Sequence, residues 1–149
     1  MLRHLIVGLP VILVCLMLQA LFVTICLREY VRFRRAHRNE YSWMLDFTLL
    51  AIVMILMLLG NIVQIVIWGA LFMLLGEFNS FAVALYHSGV NYAGLGYGDI
   101  VMTERWRTLG PLEAANGILM FGLSTGVMTA AVMDIIKYSK PNHQDMELP

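Results

Sequence analysis

Gly94-Leu95-Gly96-Tyr97-Gly98-Asp99 decides how this chain reads, because glycine at every second position frees the backbone at three places within six residues. The run lies between two apolar stretches of membrane length and directly follows a third stretch of half that length. That shorter stretch, Asn79 to Val90, is too short to cross a bilayer, which takes about 20 helical residues to cover ~30 Å of hydrocarbon. Asn79 or Ser80 supplies a side-chain oxygen for the free N–H groups at its start. Non-helical backbone at membrane depth is tolerated only where protein buries it or water lines it. The pattern predicts a half-helix that enters the membrane and a glycine-rich strand that returns.

Composition sets the surroundings. Of 149 residues, 60% are apolar and only 13% charged, with a mean hydropathy of +0.75, which excludes an ordinary soluble domain. Ten basic and ten acidic residues cancel, so no overall charge points to nucleic acid or an acidic substrate. The membrane-length stretches run over about 5–27, 46–75 and 111–136. The first exceeds the h-region of a signal peptide and reads as a retained helix. Arg28, Arg32, Arg34, Arg35 and Arg38 lie between the first two stretches, against Arg3 alone before the first. Positive-inside puts that loop in the cytoplasm and the N-terminus outside, and Lys137 and Lys140 after the third stretch agree. The expected protein is an all-α membrane protein of the cell membrane with three transmembrane helices and a re-entrant helix between the second and third. It divides into an N-terminal helix and basic loop (1–43), a membrane domain (44–137) and a short cytoplasmic tail (138–149).

Over roughly residues 44–137 the chain resembles the tetrameric potassium-channel pore family, especially its small bacterial two-helix members. The family signature is a threonine followed by Val-Gly-Tyr-Gly-Asp or close variants. Here Leu95, Gly96, Tyr97, Gly98 and Asp99 match, and Gly94 stands at the threonine position. Trp106 and the glycine-containing stretch 111–137 look like the start and body of the pore-lining helix. The resemblance implies a homotetramer in which carbonyls of Gly94, Leu95, Gly96 and Tyr97 from four chains form stacked rings that replace the hydration shell of K+. Gly98 completes the filter. Leu95 and Tyr97 would turn away from the axis to pack on the pore helix. Asp99 would cap the outer end through a bond to Tyr86, which occupies the position of the family's aromatic partner.

Two departures bear on selectivity. Gly94 offers a carbonyl but no hydroxyl at the innermost ring, and Val90 stands where some relatives carry a carboxylate behind the filter. Glu113, two residues into a helix expected to start at Pro111, has two readings: an acid favoured by the helix dipole, or a brace for the filter from behind. An ionised carboxylate at such depth costs about 3 kcal/mol unless paired or wet. A potassium-selective channel is the leading expectation. A weakly selective monovalent cation channel and a non-conducting modulatory membrane subunit are the alternatives. An enzyme is not expected, because phosphate-binding glycines open a helix after a strand, whereas these follow a membrane half-helix.

The third stretch is rich in small residues. Gly122 and Gly126 form a small-xxx-small pair suited to close helix crossing, and Gly117 or Gly122 is the candidate gating hinge by family resemblance. Asn116 faces a cavity or joins helices. Asp134 reads first as an i,i+3 partner of Lys137, and second as part of a ring that attracts cations. In the second stretch Asn61 and Gln64 are one turn apart and are expected to bond to a neighbouring helix. The first helix lacks the regularly spaced arginines of a voltage sensor, and Cys15 and Cys26 are about 16 Å apart along it, too far to pair. The loop arginines either fix topology or contact anionic headgroups. His87 beside Tyr86 is a packed neutral imidazole or a pH sensor. No cofactor is expected beyond K+ as permeant ion, and His4, His37, His87 and His143 are too scattered for a metal site.

Overall fold

The computed structural model describes residues 2–36 and 43–139, which form four α-helices: α1 (Leu2–Ala36), α2 (Trp43–Leu74), α3 (Phe81–Tyr92) and α4 (Leu109–Ser139). Three of them, α1, α2 and α4, are long and apolar enough to cross a membrane, and α3 is the short helix between the second and third spans. Arg38, Lys140, His37, His143 and the tail from 140 onward lie outside the described residues.

Each long helix outruns its apolar stretch. α1 continues to Ala36 through the arginine-rich segment, because helical hydrogen bonding does not require apolar side chains once the chain leaves hydrocarbon. Arg34 and Arg35 occupy its last turn, where the dipole favours cations. α2 packs against each of the other three helices, and α1 packs on α2 and α4. Two apolar clusters result. Cys15, Trp68, Phe72, Tyr92, Trp106, Leu109 and Met120 fill the end that holds α3. Cys26, Tyr30, Leu49, Val53, Met57 and Ala131 fill the opposite end. Both cysteines are free and buried.

Side chains fasten both ends. Near the start of α1, His4 Nε2 lies 2.6 Å from Arg105 O, and the Arg3 guanidinium sits 4.7 Å from the Trp106 ring centroid. At the other end Arg34 pairs with Asp46 at 2.8 Å. There Asp134 departs from its first expected partner, Lys137. Tyr30 Oη donates to Asp134 Oδ2 at 2.6 Å, and Arg34 Nε stands 3.8 Å away. α1 brings a phenol and a guanidinium to that carboxylate, whereas a lysine on the same helix would have to freeze a long flexible chain.

Two further expectations are corrected. Trp106 lies in the turn before α4 rather than at its start, and is buried there. Because α4 begins at Leu109, Glu113 lies beyond the first turn, where the helix dipole does little for an acid.

Candidate functional site

The site begins where α3 ends. Ser80 takes the N-cap position in an extended conformation (φ −131°, ψ 130°), without the side-chain capping bond the sequence led us to expect. The C-terminus is closed more firmly. Gly94 N–H donates to Asn91 O (2.8 Å) and Leu95 N–H to Val90 O (2.9 Å), with Gly94 at φ +72°. These are the paired bonds and left-handed glycine of a Schellman motif. Gly94 is thus the residue that terminates the half-helix.

Beyond it the backbone alternates. Gly94, Gly96 and Gly98 have φ of +72°, +57° and +74°, and no other described residue except Gly76 has positive φ. In an ordinary strand successive carbonyls point to opposite sides. Reversing the sign of φ at every second residue undoes that alternation and lets successive carbonyls face one way, an arrangement that only glycine adopts readily. Leu95 and Tyr97, the residues between, are 56% and 66% exposed within one chain.

The outer end is held by side chains. Tyr86 Oη donates to Asp99 Oδ2 at 2.7 Å, the pairing anticipated from the sequence. The phenol's hydrogen bond holds the Asp99 carboxyl below its usual pKa, and the same bond raises that of Tyr86. One turn along α3, His87 Nδ1 lies 2.9 Å from Ile100 O, and Asn91 Nδ2 lies 2.9 Å from His87 Nε2. Only the neutral tautomer with its proton on Nδ1 satisfies both partners. Burial against Phe72 and Phe78 lowers the imidazole pKa. Glu77 clamps the outer loop by accepting from Thr103 N–H (2.7 Å) and Thr103 Oγ (2.8 Å).

Behind the strand, Glu113 is fully buried. Ser88 Oγ on α3 stands 2.5 Å from Glu113 Oε1 and 2.8 Å from Ile65 O on α2. Val90 is buried. Gly117 is the point of closest approach: a Cβ there would stand 1.9 Å from Tyr92 O, so α4 meets the end of α3 backbone to backbone. At Gly122 and Gly126 a Cβ would meet nothing within 4 Å in the chain.

A polar cluster at membrane depth joins all four helices. Tyr92 Oη donates to Gln64 Oε1 (3.1 Å) and lies 3.2 Å from Asn61 Oδ1. Gln64 Nε2 donates to Gln19 Oε1 (2.8 Å), and Gln19 Nε2 to Ser124 Oγ (3.1 Å). Asn61 Nδ2 reaches Ser124 Oγ and Asn116 Nδ2 reaches Gln64 Oε1, both at 3.4 Å. Asn61 and Gln64 thus bond to neighbouring helices as expected, and Asn116 joins helices. Gln19, Ser88 and Tyr92 did not stand out in the sequence. Their only signal there is a polar group inside an apolar run, which needs a partner somewhere in hydrocarbon.

Residues 61–134, from the second half of α2 through the glycine strand to the last turns of α4, match a family model described as an ion channel. No curated protein and no solved structure matches the chain.

Proposed function

On the premise that the chain carries an ion channel domain over residues 61–134 and is not an enzyme, we propose that it is a potassium-selective channel of the cell membrane that works as a homotetramer. Carbonyls of Gly94, Leu95, Gly96 and Tyr97 from four chains face a common axis and replace the water around K+, and Gly98 completes the turn to the outer mouth. The single observation that carries this reading is the alternation of φ at Gly94, Gly96 and Gly98, which lets successive carbonyls face one way.

Several features support it. Leu95 and Tyr97 are apolar or aromatic side chains left exposed by their own chain, as expected of residues that pack on a neighbouring copy. Tyr86 with Asp99 restrains the outer end of the filter, and Glu113 through Ser88 braces α3 from behind. Gly122 suits a gating hinge better than Gly117, because nothing in the chain packs against it. The N-terminus faces outward and the arginine-rich end of α1 faces the cytoplasm, where Arg28, Arg32 and Arg35 meet anionic headgroups at about 1 kcal/mol per residue. A weakly selective cation pore is the second reading, favoured by one observation: Gly94 brings no hydroxyl to the innermost ring.

Potassium flux into liposomes holding the purified protein tests the proposal, with Gly96→Ala as the control. Alanine at φ +57° is strained, so flux is expected in the wild-type protein and lost in the variant. Equal flux through both would refute a filter at this strand, and silence of the wild-type protein across pH and voltage would favour a non-conducting subunit.

A further inference from the structure

Gln19 lies on α1, outside the matched ion channel domain, yet it is fully buried and both ends of its amide are used. Nε2 donates to Ser124 Oγ on α4, and Oε1 accepts from Gln64 Nε2 on α2. Space for it comes from Gly60, where a Cβ would stand 3.1 Å from Gln19 Oε1 and 3.3 Å from the Phe22 ring. An amide buried without partners is costly, so the pair fixes which way Gln64 faces. With Nε2 committed to Gln19, Gln64 presents its oxygen to the Tyr92 hydroxyl.

Tyr92 is the last residue of α3, two before Gly94. Its carbonyl rests against Gly117, its ring meets Phe121 edge-on with centroids 5.6 Å apart, and its hydroxyl ends on Asn61 and Gln64. The first two N–H groups of the glycine strand bond to the carbonyls of Val90 and Asn91, immediately before it. Whatever places Tyr92 therefore places the first carbonyls of the strand. We propose that Tyr92 and Gln19 are positioning residues for ion selection: Tyr92 sets the distance of the innermost rings from the pore axis, and Gln19 makes α1 part of the selective unit by orienting the acceptor Tyr92 needs. The proposal rests on the potassium-selective reading above.

The test compares Tyr92→Phe, Gln19→Met and the double variant with wild type, reading tetramer assembly by cross-linking and the K/Na permeability ratio from reversal potentials in planar bilayers. Each single variant assembles and conducts with a ratio lowered at least about threefold, the scale of one lost membrane hydrogen bond. The double variant falls no further than Tyr92→Phe, because both act through Gln64. Should Gln19→Met fail to assemble, Gln19→Asn carries the same comparison with the amide withdrawn by one methylene. A selective wild type with unchanged ratios in Tyr92→Phe and in the Gln19 variant overturns the proposal alone. A wild-type ratio near one overturns the selective-pore reading and the proposal with it.

Discussion

Gly94 does two jobs that a threonine cannot combine here. Its φ of +72° closes the last turn of α3, and its carbonyl opens the strand. Gly94→Thr would restore the family's hydroxyl but put a β-branched residue in the left-handed region, at a cost of about 1–2 kcal/mol. The expected outcome is a tetramer with a lower melting temperature and no gain in K/Na ratio; a gain without loss of stability would show that the Schellman turn is dispensable. His87 supplies a second prediction. Burial lowers its pKa, so the neutral form that bonds Ile100 and accepts from Asn91 persists below the ordinary imidazole value and is lost only as pH falls through the lowered one. Asp99 and Glu77 face the ring and oppose that shift. Potassium flux is expected to hold through the ordinary imidazole value of about 6.5 and to fall only on further acidification, and His87→Gln to flatten that acid limb; an unchanged profile in the variant would remove the role. The glycines were legible in the sequence because their spacing is local, and the pair of Tyr86 and Asp99 was legible only through the family resemblance. Gln19 and Tyr92 were not, since a buried amide or phenol acquires its meaning from helices that only packing brings together.

At the level of elements, the three spans and the half-helix could be read from hydropathy alone, while their ends could not. α1 runs into its arginines and α4 starts before Pro111, because side chains outside hydrocarbon do not stop a helix. The register of α4 separates two glycines that spacing could not. Gly117 has the Tyr92 carbonyl where a Cβ would go, and Gly122 has open space. Gly117→Ala is accordingly expected to abolish assembly or flux, because neither backbone can yield by the distance required. Gly122→Ala is expected to assemble with wild-type stability and to change only opening, as seen in single-channel recordings. The reverse pattern would place the hinge at Gly117. Asp134 shows the same limit of one-dimensional reading: Lys137 is its neighbour in sequence, but Tyr30 and Arg34 are its partners.

For the whole molecule, one chain leaves apolar surface that the proposed tetramer would cover. Leu95, Tyr97 and much of the outward face of α4, including Ile118 at 65% exposure, are apolar and uncovered. The proposed fourfold pore would cover those on the strand. α1 adds a third span to the two that such a pore needs, and Gln19 ties it to the others. The reversal potential of the reconstituted protein between K+ on one side and Na+ on the other is the most direct measurement of what this assembly does. A potassium-selective filter built on Gly94 to Gly98 gives a large potential of the sign set by K+, abolished in Gly96→Ala. A potential near zero, with robust current, would contradict it and identify a cation pore that the missing threonine hydroxyl has left unselective.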